Sequence, residues 1–351
     1  MTAEDHLGLT PNQELTWPGC SAPGGCRAAA PPAAVMPASG CVCSDGRLPV
    51  TADRPSGAHP RAPSDPPDPG APMNQLDPDK ARTAVTYSAA ADHFDDPPLA
   101  FWARIGERTV ERARLQPGHR VLDVCSGTGA SAIPAARAVG PTGSVLAMDL
   151  ADALLERGRA KARALGLSNL DFRCADVEAL DLPPGSFDAI VCVFGIFFMP
   201  DMPATVRRLW RWLKPGGTLA ITTWGEDVLE PGNTAFWAAI QAHRPDLYKT
   251  FRPWERIDTP DALRSMLAEA GVSACAIESE RSSQPLTSPD DWWVIALGSG
   301  YRGTIDRLDP GAQEAVRRDT LAPLRARNAL SAETNALVAI ARKPPGRDAE
   351  R

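Results

Sequence analysis

A short segment near the middle of the chain joins an acid to a loop of small residues. Asp123 follows an apolar run, and Cys125, Ser126, Gly127 and Gly129 come directly after it. This pattern predicts a strand, a tight turn and a helix. Such a turn offers backbone N–H groups and a helix N-terminus to a ligand, and glycine permits a close approach that a Cβ would obstruct. The charge of Asp123 favours a ligand with an ammonium group over one with phosphate.

Other chemistry-bearing residues follow the next three predicted strands. Asp149 closes the second strand, where a carboxylate can accept hydrogen bonds from both hydroxyls of a ribose, and Leu150 follows it. Asp176 lies just past the third strand, where it can accept from an adenine amino group while Val177 packs on the ring. Val193 lies near the end of the fourth. Because ligands bind outside the carboxyl ends of parallel strands, one ligand could contact all four elements.

Each acid also has a simpler interpretation. Asp149 alone could cap a helix, and Asp176 alone could be an ordinary turn residue. The order and spacing of the acids relative to the glycine loop favour a binding site over these separate roles.

The elements that must position these residues alternate between strands and helices. We expect strands near 120–124, 144–149, 170–174, 187–194 and 217–224, and helices near 81–94, 99–115, 130–139, 151–165 and 203–213. Further helices are expected at 233–243, 259–270, 290–308 and 311–327, with strands at 272–280 and 334–342. This alternation predicts an α/β fold with a parallel sheet covered on both faces.

The motifs resemble those of the class I S-adenosylmethionine-dependent methyltransferases. The chain looks most like the branch that contains the ubiquinone/menaquinone-biosynthesis methyltransferases. The segments 122–129, 187–191 and 213–219 match the glycine loop, the fourth strand and the turn into the fifth, and 87–94 looks like the helix that closes over the site. The resemblance implies a Rossmann-like sheet of seven mostly parallel strands, the last antiparallel, with helices on both faces and a helical lid.

The resemblance also implies S-adenosylmethionine as the cofactor and a set of binding residues. Cys125 departs from the pattern, because it stands where the family carries the first glycine of the loop. The expected cofactor-binding residues are Asp123, Cys125, Ser126, Gly127, Gly129, Asp149, Leu150, Asp176, Val177, Val193 and Tyr87.

The expected reaction is transfer of the methyl group to a small hydrophobic or aromatic acceptor, as C- or O-methylation. Phe197, Phe198 and Trp224 are the candidate acceptor-pocket residues, since aromatic side chains commonly line such pockets. His93 is the candidate catalytic base by position, although a histidine on an exposed helix turn is the simpler interpretation. Methyl transfer requires no metal, and no metal site is expected.

Two other functions remain open. A nicotinamide-dependent oxidoreductase shares the glycine turn and the ribose acid, but Asp123 would then face a pyrophosphate. A non-catalytic module that binds S-adenosylmethionine is the second alternative. The aromatic residues of the expected lid favour a bound acceptor over this second alternative.

Composition restricts the partners. The 351-residue chain has a net charge of −6 and no strong basic block, which disfavours nucleic-acid binding. No apolar run approaches the roughly 20 residues needed to span a bilayer, and no secretory signal is evident. We therefore expect a cytoplasmic location and no stable membrane insertion.

The eight cysteines fall into two groups. Cys20, Cys26, Cys41 and Cys43 match no common zinc spacing. The other four cysteines, 125, 174, 192 and 275, are expected to be small buried hydrophobes.

Three segments are predicted along the chain. Residues 1–72 hold 14 of the 35 prolines and show no periodicity, so we expect a disordered leader, and Met73 is a candidate natural start. The alternative is a real flexible or targeting extension. Residues 73–345 form the expected methyltransferase domain, with lid elements near 81–98, 226–258 and 288–328. Residues 346–351 are expected to form a frayed tail.

Overall fold

A computed structural model describes residues 76–250 and 252–346. The predicted leader, the candidate start at Met73, the first four cysteines and most of the predicted tail lie outside these residues. Nine strands are present in the described ranges: β1 (Arg120–Val124), β2 (Ser144–Asp149), β3 (Leu170–Cys174), β4 (Phe187–Val193), β5 (Leu213–Trp224), β6 (Cys275–Glu280), β7 (Ser283–Pro285), β8 (Ser331–Glu333) and β9 (Ala336–Arg342).

Seven of the strands form one sheet in the order β3-β2-β1-β4-β5-β9-β6. The first five in that order pair in parallel, whereas β9 lies antiparallel between β5 and β6. The sheet therefore confirms the predicted fold class, including the antiparallel last strand. The chain order reverses between β1 and β4, which opens a crevice at their carboxyl ends. The unpredicted pair β7 and β8 forms a separate two-stranded ribbon.

Ten α-helices accompany the sheet in the described ranges. They are α1 (Pro78–Ala90), α2 (Phe101–Ala113), α3 (Ala132–Val139), α4 (Asp152–Ala164), α5 (Met202–Trp212), α6 (Gly232–His243), α7 (Pro260–Glu269), α8 (Asp291–Leu297), α9 (Arg302–Ile305) and α10 (Pro310–Ala326). Several begin with an acid or threonine whose side chain accepts from the first-turn amides, followed by proline at the first helical positions. Asp77, Asp201, Thr259 and Asp309 cap α1, α5, α7 and α10 in this way.

Side chains of the central strands alternate between two hydrophobic cores. In β1, Val121 packs into a cluster with residues of α2, α3 and α4, whereas Leu122 and Val124 pack into the larger cluster on the opposite face. This period of two places helices on both faces of the sheet, because each face presents apolar side chains that must be covered.

Helices from both ends of the chain pack on one another over the carboxyl edge of the sheet. Helix α1 contacts α4 and α9, and α6 contacts α10.

The prediction of a single helix over 290–308 is wrong, since α8 ends before Gly298 and α9 begins at Arg302. Gly298 lies close to the turn that follows α1, and a Cβ on Gly298 would be 2.7 Å from the backbone oxygen of His93. Within the described ranges, no helix is both long and apolar enough to cross a bilayer.

Candidate functional site

The crevice between β1 and β4 opens into a cavity with an open mouth. Its walls come from the carboxyl ends of β1, β2, β3 and β4 and from α1 and the turn after it. The residues that line the cavity include Lys80, Thr83, Ala84, Tyr87, Phe94, Trp102, Cys125, Ser126, Gly127, Asp149, Leu150, Asp176, Val177, Val193, Phe194 and Phe198. The cavity thus lies where open parallel sheets bind their ligands.

The loop after β1 is held by hydrogen bonds to the end of β2. The amide of Ser126 donates to the carbonyl of Met148 at 2.9 Å, and the amide of Gly127 donates to Asp149 Oδ2 at 2.9 Å. Gly127 and Gly129 have φ of +52° and +89°, a region that glycine occupies without strain. The two glycines therefore allow the loop to turn sharply while its first amides point back to β2.

Asp149 supports the loop and also lines the cavity. Its Oδ1 accepts from the amide of Ala151 at 2.9 Å and its Oδ2 from Gly127. Burial raises the pKa of the Asp149 carboxyl, and these backbone donors oppose that rise. A carboxylate offers about four lone-pair directions, so these backbone donors do not use all of its capacity to accept from hydroxyl groups of a ligand.

Asp123 lies beneath the loop and is fully buried. Its Oδ2 accepts from the hydroxyl of Ser131 at 2.7 Å, whereas its Oδ1 has no hydrogen-bond partner. Burial raises the pKa of Asp123 to about 7, the Ser131 bond lowers it and the charge of Asp149 raises it further. A cation bound above the loop would offset this unpaired charge, since opposite charges favour ionisation.

Two non-glycine residues at the strand ends adopt left-handed backbone conformations. Cys125 has φ of +58° and Phe194 has φ of +53°, and both line the cavity. Such conformations cost about 1 kcal/mol or more and cluster at functional sites. At the position where the family pattern has glycine, Cys125 therefore keeps the backbone turn of a glycine at some cost in strain.

Gly195 packs directly on Cys125. A Cβ at Gly195 would lie 2.4 Å from Cys125 Cβ and 2.8 Å from its Sγ, and 3.1 Å from the Sγ of Cys192. Only glycine fits there, because real Cβ atoms do not approach others so closely. The end of β4 and the loop after β1 therefore fix one another.

Asp176 does not face the cavity as a free carboxylate. Lys80 Nζ, from α1, lies 2.9 Å and 2.8 Å from its two oxygens, and the amide of Glu178 donates to Oδ1 at 2.9 Å. Lys80 also pairs with Glu178 at 2.5 Å. Reasoning from sequence missed Lys80, although it shares a helix face with Thr83, Ala84 and Tyr87, and that spacing is the signal that would have found it.

Aromatic side chains form the opposite wall. Phe94 stacks on Trp102 with centroids 5.3 Å apart, and Trp102 meets Phe194 edge-on at 5.4 Å. Tyr87 meets Phe198 edge-on at 5.5 Å. Burial raises the pKa of the Tyr87 hydroxyl well above its usual value, which keeps it neutral.

The predicted acceptor residues divide between the wall and the layer behind it. Phe198 lines the cavity, whereas Phe197 packs behind it at 4.7 Å and Trp224 stacks on the back of Phe194 at 4.0 Å. Phe94, Trp102 and Phe194 line the wall but were absent from the predicted acceptor residues.

His93 lies in the turn after α1 and is not among the residues that line the cavity. Its Nδ1 is 2.8 Å from Asp96 Oδ2, and its side chain is 37% exposed. This arrangement matches the simpler interpretation, an exposed turn histidine, and lends no support to a base at the methyl acceptor.

Nine of the eleven predicted cofactor residues line the cavity. The two others, Asp123 and Gly129, lie in the layer beneath it, where the amide of Gly129 donates to the carbonyl of Ser126 at 2.8 Å.

Of the four cysteines expected to be buried, Cys192 is buried, and Cys125 and Cys275 are partly buried. The expectation is wrong for Cys174, which is exposed at the end of edge strand β3.

Comparison with known proteins supplies the class of this site. A family model described as a methyltransferase domain matches residues 121–217. The chain is 31% identical over 213 residues to the ubiquinone/menaquinone biosynthesis C-methyltransferase UbiE of Escherichia coli K12, covering 57% of this chain and 80% of the relative. It is 36% identical over 131 residues to the UbiE protein of Pasteurella multocida, covering 37% of this chain and 48% of that protein. The latter alignment thus spans about half of the relative.

Among solved structures, the YcgJ protein of Bacillus subtilis superposes with a TM-score of 0.46 at 20% identity, covering 69% of this chain and all of that one. The sheet, the cavity and the sequence relatives define a class I S-adenosylmethionine-dependent methyltransferase. Within that class, the chain belongs to the UbiE-like branch.

The residues present fit this cofactor. Buried Asp123 has an unpartnered oxygen that suits an ammonium group, Asp149 has free acceptor directions for a ribose, and Val177 offers an apolar surface beside the acid-lined end of the cavity. In the described ranges, no three metal-ligating side chains lie close enough together to hold a metal ion.

We expect Asp123 to impose a pH dependence on stability. Its pKa is about 7 in the fold and about 4 when unfolded. Between those values the unfolded chain releases a proton that the folded chain retains, so rising pH favours unfolding, by on the order of 4 kcal/mol in total. Asp123→Asn has no titrating carboxyl at this position. The stability of wild type should therefore fall relative to that of the variant as pH rises from 5 to 8.

Urea unfolding at several pH values measures this difference. Asp181→Asn is the control, because Asp181 is 90% exposed, and its stability should stay parallel to wild type. A difference between Asp123→Asn and wild type that is constant from pH 5 to 8 would show that the buried carboxyl stays ionised throughout.

We expect Gly195→Ala to distort the cofactor loop. The added methyl must displace Cys125, at a cost of about 1–3 kcal/mol in the free energy of unfolding and with weaker binding of S-adenosylhomocysteine. The second change Cys125→Gly should restore much of both, because it removes the contacting atoms and suits the positive φ. Gly225→Ala is the control, since its Cβ would come no nearer than 3.5 Å to any atom. Equal losses with and without Cys125→Gly would refute the contact.

Proposed function

We propose that this enzyme transfers the methyl group of S-adenosylmethionine to a small planar acceptor, a quinol or a phenol, as C- or O-methylation. One observation carries the proposal: a continuous aromatic wall shares one cavity with the predicted cofactor residues. The relatives named as ubiquinone/menaquinone C-methyltransferases support an acceptor of this kind.

The cavity divides by chemistry into two ends. The acidic end holds Asp149 for the ribose and Asp176 with Val177 for the adenine, and Asp123 lies beneath the loop where the amino-acid portion would sit. The aromatic end offers Phe94, Trp102 and Phe194 as stacking surfaces. A planar acceptor would bury its faces there, because aromatic pairs favour stacked and edge-on packing.

The chain contributes mainly orientation and exclusion of water. S-Adenosylmethionine, when bound, supplies an electrophilic methyl group. The loop and the strand ends hold the cofactor side rigidly, while α1 and the aromatic wall cover the acceptor side, and such positioning accounts for much of the acceleration in two-substrate reactions. The described lining residues include no histidine. We therefore expect the acceptor to bring its own nucleophile, an electron-rich ring carbon or an ionised phenol oxygen.

The test begins with calorimetric titration of the purified protein with S-adenosylhomocysteine and, separately, with NADH. Transfer of labelled methyl from S-adenosylmethionine to a panel of quinols, phenols and aliphatic amines follows, with product identified by mass. Methylation of quinols or phenols supports the proposal, and methylation of amines alone overturns it. Binding without any methylated product would favour a non-catalytic module, and binding of NADH alone would return the oxidoreductase alternative.

Asp149→Ala should weaken binding of S-adenosylhomocysteine at least tenfold, because it removes the ribose acceptor and the partner of the Gly127 amide. Circular dichroism should show a folded chain. Unchanged affinity of a folded Asp149→Ala would contradict the ribose assignment.

His93→Ala should leave the affinity for S-adenosylhomocysteine unchanged, because its side chain lies outside the cavity. The turnover of this variant tests the predicted base: undiminished methyl transfer would remove His93 from catalysis.

A further inference from the structure

Lys80 is a charged residue in the cavity wall that neither the sequence motifs nor the proposed reaction accounts for. It is 7% exposed, and it joins α1 to the turn after β3 through Asp176 and Glu178. Asp176 and Glu178 are 14% and 24% exposed. Burial opposes its charge, but the hydrogen bonds to Asp176 and Glu178 outweigh burial and raise the pKa of Lys80 above its usual value.

The ammonium group of Lys80 is held between two carboxylates. Nζ has three close acceptors: the two oxygens of Asp176 at 2.9 Å and 2.8 Å, and Glu178 Oε2 at 2.5 Å. Of these two carboxylates, Asp176 lines the cavity, so Lys80 can act on a bound molecule through its hold on Asp176.

The geometry also fixes Asp176 from its other sides. The amide of Glu178 donates to Oδ1, and the hydroxyl of Thr205 donates to Glu178 Oε1. Without the ammonium, two carboxylates would face one another in a largely buried turn. The two like charges would repel one another, and Asp176 would lose its orientation.

We propose that Lys80 is a positioning residue for adenine selection: it holds Asp176 oriented as the acceptor for the 6-amino group of the cofactor. This rests on the proposed placement of the adenine beside Asp176 and Val177. An ionised, fixed carboxylate accepts from an amino group through a charge-assisted bond, which is stronger than a neutral one. A purine without that amino group cannot form this bond, although Asp176 keeps its bonds to Lys80 and the Glu178 amide.

The test compares two ligands by calorimetry: S-adenosylhomocysteine and its analogue with unsubstituted purine in place of adenine. We expect wild type to prefer the adenine ligand about tenfold, the range of one hydrogen bond to a charged group. Lys80→Met should bring this ratio close to one, and Lys80→Arg should restore it because guanidinium also pairs with carboxylates. Lys214→Met is the matched control, since Lys214 forms a 2.8 Å pair with Asp188 at the opposite end of β4.

A purely structural role for Lys80 predicts a different result. Both ligands would then lose affinity equally in Lys80→Met, the ratio would stay near that of wild type, and the proposal would be overturned. Asp176→Asn is an independent test that does not need the Lys80 variant to fold. Its ratio should also approach one, and the double variant should be no worse, whereas an unchanged ratio in Asp176→Asn overturns the proposal.

The same measurements separate this inference from the function on which it rests. Failure of wild type to bind S-adenosylhomocysteine would remove the cofactor assignment itself. Tight binding with no preference between the two ligands would refute adenine selection by Asp176 and Lys80 and leave the methyltransferase function standing.

Discussion

The site depends on one hydrogen bond, from the amide of Gly127 to the carboxylate of Asp149. The parallel register of β1 and β2 brings the two segments together, with Val124 opposite Met148. With the bond from the Ser126 amide to Met148, the Gly127 bond holds the loop that contains the left-handed Cys125, which packs against Gly195. These contacts join the ends of three strands, so the cofactor side of the cavity is built on the central sheet.

This arrangement places acids where the fold itself does not neutralise them. Burial raises the pKa of both Asp123 and Asp149, and Asp123 keeps an oxygen without a partner. Around Asp176 and Glu178 the fold supplies a cation, since Lys80 contacts both carboxylates. Asp123 has only the hydroxyl of Ser131, so a positively charged ligand would be its counter-charge. Strain at Cys125 and Phe194 and unpaired charge at Asp123 are features that a structure retains for binding.

Much of the fold was predictable between residues 120 and 224. The strands there start and stop within a few residues of prediction, because most of them contain apolar runs bounded by turn residues. The prediction failed where contacts between distant segments decide the structure. The helix expected over 290–308 is broken at Gly298 by packing against the backbone of His93. The two-stranded ribbon pairs three-residue segments about fifty residues apart, and such short segments carry no periodic signal.

The sequence by itself determined the acids, the glycine turn and their order, because strand ends and turns are local features with local signals. Of the cofactor residues it predicted, nine line one cavity. The other side was decided only by tertiary structure. Lys80 meets Asp176 across 96 residues of chain, and Trp102 meets Phe194 only because α2 packs on β4. Which side chains share a cavity depends on how helices pack over the sheet, and this packing is encoded in many weak apolar contacts rather than in any one motif.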